Sequence, residues 1–163
     1  MNACNQLKVS ACIDMMFADQ PFEQRIRSVR DCGLDAIEFW KWSNKDVPAV
    51  VRLKEELGLS FSVMNIDSAD EKLSYDLSRG ILNTGRKDEL IGALQESLPA
   101  YRALEAKGLI VLIGETLEGV SEEQQRENVY ECLRSVAPVA EECGVTLVVE
   151  PLNSYDRKNY FMP

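Results

Sequence analysis

Residues 135–153 read SVAPVAEECGVTLVVEPLN, and their pattern decides the fold. Val136, Ala140 and Cys143 recur at helical spacing and extend a stripe begun by Val129 and Leu133. Gly144 stops that helix, and residues 145–150 follow as an apolar run of strand length. The run ends on Glu150, directly before Pro151. A helix that stops at a glycine and hands over to a short apolar strand is one unit of an alternating α/β chain.

The same unit recurs upstream. Ser121 with Gln124 has the form of a capping box at the start of this helix. Before it, a strand is predicted over 109–113 and a helix over 87–107, closed by Gly108. Pro99 and Pro138 fall inside the two long helices and are expected to kink them. A third strand is predicted over 59–66. Its preceding helix is capped by Asp46, carries Pro48 in its first turn and buries Val47, Val50, Leu53 and Leu57 before Gly58. A second strand spans 36–40 and a first spans 9–17. Between them Pro21 opens a helix with the stripe Phe22, Ile26, Val29, ended by Gly33. The polar segment 67–84 is too long for an ordinary connection and reads as a functional or mobile loop.

The order βαβαβαβαβ implies parallel strands with right-handed crossovers in a single domain over 1–163. An open doubly wound sheet and part of a (β/α)8 barrel both fit. No glycine-rich turn follows any strand, which counts against the open nucleotide-binding sheet. A complete barrel takes about 250 residues, so five strands here would make roughly five-eighths of one.

Composition narrows the chemistry. Lys and Arg number 18 against 27 Asp and Glu, a net charge of −9, so no nucleic-acid partner is expected. The 163 residues include no His, which excludes His-based zinc sites and His-activated nucleophiles within them. There is no cationic leader and no run of about 18 apolar residues, so no membrane partner is expected. Five cysteines (4, 12, 32, 132, 143) form no CxxC pair, and the last four fall in apolar-periodic segments where a small buried thiol fits. The expected location is cytoplasmic.

In either architecture, function gathers at the C-terminal ends of strands. Those ends carry Asp14, Glu38 with Trp40, Asn65 with Asp67, Glu115, and then Glu150, Asn153 and Asp156. Loops are polar anyway, so any one of these residues alone is weak evidence. Glu150 is stronger because it closes the apolar run TLVVE, where burial makes an unpaired carboxylate costly. It calls for a cation, either an Arg or a metal. Trp40 and Trp42 read mainly as packing, although an aromatic wall over a pocket is open to them. Glu38 is expected inside the barrel, as a buried polar layer or a substrate contact. Arg79 and Arg86 flank the long third loop and read mainly as solvated charges, although a phosphate or carboxylate partner is open to them. Glu122 and Glu123 are explained by the dipole of the helix they open.

The run GVTLVVEPLNSYDRKNYFMP, preceded by SVAPVAEECG, resembles the fifth-strand segment of the xylose-isomerase-like sugar isomerase/epimerase superfamily. It is most similar there to hydroxypyruvate isomerases and sugar-phosphate isomerase/epimerases. IEFW at the second strand, NTGRKDEL at the third helix and ETLEG-SEEQ before the fourth extend the likeness over almost the whole chain. The resemblance implies an α/β fold that is a partial (β/α)8 TIM barrel of about five parallel strands alternating with helices. It implies one divalent cation, Mn²⁺ or Mg²⁺, held by two Glu, one Asp and one His or Gln from the fifth to eighth strands. Only the first maps here, onto Glu150, which in the family also moves a proton. The implied substrate is a small carbohydrate or hydroxy-keto acid, isomerised through an enediolate that the metal stabilises as a Lewis acid. Asn153 and Asp156 would be substrate-facing residues beyond the metal Glu, and Asn65 and Glu38 further substrate contacts. Met64 stands where hydroxypyruvate isomerases often carry a His beside the Asn. With one ligand of four, the chain alone is expected to be inactive. The alternative is a non-catalytic partial barrel that self-associates or pairs with a complementary chain, and a homo-oligomer is the expected state. Kinship with zinc-dependent abasic-site endonucleases is disfavoured by the missing His and the charge of −9.

Overall fold

A computed structural model describes residues 8–82, 86–153 and 155–161. The elements run β1 (Ser10–Cys12), α1 (Phe22–Asp31), β2 (Ala36–Glu38), α2 (Val47–Leu57), β3 (Ser60–Phe61), β4 (Val63–Asn65), α3 (Glu71–Ser78), α4 (Lys87–Leu104), β5 (Gly108–Leu112), α5 (Glu122–Cys143) and β6 (Leu147–Glu150). All ladder pairings are parallel, in the orders β1-β2-β3 and β4-β5-β6. β3 and β4 are two halves of the expected third strand, interrupted at Ser62, whose carbonyl accepts from Lys107 N at 2.7 Å. Five strands alternating with helices therefore make a partial barrel wall of two three-stranded sheets, not a closed barrel.

Burial alternates along the wall as a two-faced strand requires. Ala11, Ile13, Ile37 and Phe39 are at most 1% exposed and join Ile26, Val29, Val50 and Phe61 in the core under the helices. Their neighbours Ser10, Cys12 and Glu38 are half-buried on the other face. The caps follow their chemistry. Asp46 accepts from Ala49 N at 3.0 Å, and Gly58 closes α2 at φ 64°. Ser121 accepts from Gln124 N at 3.2 Å, and Gly144 ends α5 at φ 69°. The other half of the expected capping box goes elsewhere, because the Gln124 amide donates to Asn128. Both long helices continue through Pro99 and Pro138.

Three expectations are corrected. The first strand stops at Cys12, because Met15 N and Met16 N turn back onto the Cys12 carbonyl and Asp14 accepts from Trp40 N at 2.8 Å. Cys32 is exposed at the C-cap of α1, whereas Cys132 is buried. The segment after the third strand is not a loop throughout. It contains α3, capped by Asp70, which accepts from Leu73 N at 2.7 Å. Residues 83 and 84 of that segment, and residues 1–7 with Cys4 at the start of the stretch read for a leader, lie outside the described residues.

Candidate active site

The C-terminal strand ends open on one side of the wall. Register places Cys12 beside Glu38, Asn65 beside Ile110, and Leu112 beside Glu150. Glu38 is fixed by a short polar chain in which Ser62 Oγ bonds Glu38 Oε2 at 2.7 Å and Ser10 Oγ at 2.8 Å. It is part of a polar inner layer, one of the two roles its sequence position allowed.

Glu150 is half-buried, and among the described residues no Lys or Arg pairs with it. Burial raises its carboxyl above the usual value, and the nearby Glu38 charge adds to the rise. Of the two cation partners its sequence position calls for, an Arg is absent among the described residues. Its backbone is held by Tyr160, a residue that sequence reading did not single out. The Tyr160 hydroxyl accepts from Ile113 N at 2.7 Å and donates to the Glu150 carbonyl at 3.2 Å, continuing the β5–β6 ladder through a side chain. Residues 157–161 fold back on the β5 exit. Phe161 N bonds Gly114 O at 2.9 Å, and Thr116 N bonds Asn159 O at 2.7 Å. Glu115 draws in Arg79 at 2.7 Å and Arg157 at 3.0 Å.

The remaining candidates divide. Asp14 bonds Trp40 N and pairs with Lys45 at 3.0 Å, a structural role. Asp67 is 1% exposed and accepts from Ser74 and from Ser43 N. Arg79 and Arg86 each meet a carboxylate, the less expected of their two readings, Arg86 pairing with Asp76 at 2.8 Å and Arg79 with Glu115. Trp40 is 45% exposed, while Trp42 is partly buried and donates to Ser97 at 3.0 Å. Asn153 and Asp156 are exposed and engaged with each other. Asn153 Nδ2 donates to Asp156 Oδ2 at 2.6 Å, and its Oδ1 accepts from Tyr155 N and Asp156 N. Asn65 is 9% exposed, and its Oδ1 has no hydrogen-bond partner among the described residues. Among the described residues no group of three or more His, Cys, Asp or Glu side chains gathers to hold a metal ion.

A parallel barrel wall of strands alternating with helices defines the class, a partial α/β barrel. The xylose isomerase-like TIM barrel family matches residues 26–161, and the chain belongs to that family. It is 27% identical to hydroxypyruvate isomerase of Escherichia coli (strain K12) over 151 residues, 92% of this chain and 57% of that protein. It is 29% identical to a putative hydroxypyruvate isomerase of Danio rerio over 154 residues, 91% and 55% of the two. The chain thus spans little more than half the length of these relatives. A crystal structure of AP endonuclease, family 2, from Brucella melitensis superposes with a TM-score of 0.79 at 26% identity, covering 96% of this chain and 60% of that one. The IolI protein, solved with a zinc atom, shares the fold with a TM-score of 0.65 at 14% identity, covering 88% and 51%.

Proposed function

We propose that these residues form part of the active-site wall of a sugar or hydroxy-keto-acid isomerase/epimerase. In this reading Glu150 takes up and returns a proton at the carbon beside a carbonyl. The observation that carries it is the state of Glu150, a half-buried carboxylate at a strand exit with no cation on it among the described residues and an affinity for protons raised by burial. A base that must hand its proton back works best when its proton affinity lies nearer neutral pH than that of a solvated carboxylate. The kinship with hydroxypyruvate isomerases favours a three-carbon hydroxy-keto acid as substrate. Glu38, set by Ser62, would face it across the mouth. Asn153 and Asp156 could reach it only by exchanging their mutual bond for substrate contacts.

The Mn²⁺ or Mg²⁺ of the resemblance finds one candidate ligand here, Glu150, and these residues by themselves do not fit a metal site. The charge of −9 and the lack of His in these 163 residues favour a small-molecule substrate over a nucleic acid in this reading. No helix among the described residues is long and apolar enough to cross a membrane, and a cytoplasmic setting with free thiols belongs to the same reading.

The test is turnover. These residues fused to the remaining strands of the E. coli relative, supplied with Mn²⁺, are expected to isomerise hydroxypyruvate. Glu150→Gln should lower kcat by about 100-fold or more. An active Glu150→Gln variant would remove Glu150 as the base.

A further inference from the structure

At two strand exits the ladder runs one rung past its last pair. Ile13 N donates to Glu38 O at 2.9 Å beyond the Cys12–Glu38 pair, and Ile66 N donates to Ile110 O at 3.0 Å beyond Asn65–Ile110. The equivalent rung beyond Leu112–Glu150 would join Ile113 N to Glu150 O. The Tyr160 hydroxyl sits in that rung instead, accepting from Ile113 N at 2.7 Å and donating to Glu150 O at 3.2 Å. One inserted oxygen therefore spaces β5 from β6 at the residue that carries the carboxylate.

The spacer is held from both sides. Thr116 N bonds Asn159 O at 2.7 Å and Phe161 N bonds Gly114 O at 2.9 Å, while Phe161 itself is 5% exposed in the core. Arg157 pairs with Glu115 at 3.0 Å. A side chain between neighbours fixed in this way keeps its hydroxyl where the backbone puts it. The next backbone acceptor on β5 is already used, because the Ile113 carbonyl accepts from Ile81 N at 2.8 Å and Leu82 N at 3.2 Å. Among the described residues the Tyr160 bridge is thus the last tie between the two strands at this exit.

We infer that Tyr160 is a positioning residue for Glu150, its hydroxyl acting as a spacer in the last rung between β5 and β6 that sets where the Glu150 backbone stands at the barrel mouth. The catalytic meaning of this rests on the reading of Glu150 as the base. Proton transfer depends steeply on placement, and an error of about 1 Å can cost roughly 100-fold in rate.

Tyr160→Phe keeps the ring and removes the oxygen. The first readout needs no turnover. In the isotope-labelled chain, NMR coupling across a hydrogen bond from the Ile113 nitrogen to the Glu150 carbonyl carbon is expected to be absent in the wild type. It should appear in Tyr160→Phe, as the ladder closes by one rung. In the wild type the Tyr160 hydroxyl proton should exchange slowly and give a nuclear Overhauser effect to the Ile113 amide. A direct Ile113–Glu150 coupling in the wild type would overturn the spacer, and so would its absence from a folded variant. If the variant does not fold, the wild-type signals decide alone. The second readout is turnover of hydroxypyruvate by the fused, completed barrel. Tyr160→Phe should lower kcat about tenfold with KM unchanged, and should lower it no further in a Glu150→Gln background, since a residue that acts through another adds nothing once that other is gone. An unchanged kcat, or an equal loss in both backgrounds, would refute the positioning role and, with Glu150→Gln inactive, spare the base. An active Glu150→Gln variant would remove the base and the positioning role together while leaving the NMR evidence for the spacer in place.

Discussion

Lys54 is a buried cation with an exposed partner. It is 4% exposed, and its Nζ lies 2.7 Å from Glu105 Oε2, whose side chain is 73% exposed. The hydrogen bond from Lys54 holds the Glu105 carboxyl below the usual carboxylate range. A carboxyl depressed in the folded state contributes stability above its unfolded value and loses it as the pH falls through the folded one. The urea midpoint of the wild type should therefore fall more steeply on acidification from about pH 5 to 3 than that of Glu105→Gln. A residual slope from Asp76 and Glu131, depressed by bonds from Lys72 and Lys87, should remain in both. At neutral pH the variant should be the less stable, because a buried ammonium loses its partner. Identical acid slopes would contradict this. None of the pair was legible in the sequence, where 51 residues separate the two. The same holds for Gln125, 2% exposed, which holds Leu117 N and the Val120 carbonyl, and for Ser97, fully buried between Trp42 and Asp67. Polar side chains read as surface unless a partner is known, and the partners come from other elements.

At the scale of elements, stripes and stops were readable where apolar spacing and caps agreed. α2 and α5 lie between Asp46 and Gly58 and between Ser121 and Gly144, as their sequences indicate. α3 was missed because eight residues hold barely two helical turns and only Ser74 and Leu77 are buried. Its existence depends on its cap and on contacts from other segments. Asp70→Ala should cost about 1 kcal/mol and speed amide exchange within residues 71–78 while leaving α4 and α5 unchanged. Unaltered exchange in α3 would show that the cap does not hold it. The loop after α3 is shaped by a different constraint. Gly80 and Gly114, at φ 101° and 109°, meet so closely that a Cβ on Gly80 would enter the Gly114 backbone and a Cβ on Gly114 would strike the Arg79 carbonyl. Both glycines stand plainly in the sequence, but only the fold brings them together.

For the whole molecule, the last strand is the informative one. Val148 and Val149 on β6 are 38% and 39% exposed, unlike the apolar residues of β1 and β2, and among the described residues β6 pairs only with β5. An apolar parallel edge of that kind favours association, and we propose that the isolated chain pairs with a second copy of itself. A strictly monomeric solution mass at micromolar concentration would contradict this. The alternation of strands and helices made the barrel reading accessible, and the run 144–163 tied it to a family. The state of Glu150 was half legible. Its place at a strand exit could be read, but its lack of a cation partner and the Tyr160 bond behind it could not. The most direct test of the account is proton removal itself, followed by NMR as deuterium entering the CH₂ group of hydroxypyruvate in D₂O with the fused, completed barrel. The account predicts exchange with Glu150 in place and a loss of about 100-fold or more in Glu150→Gln. Exchange at the same rate in both proteins would contradict it.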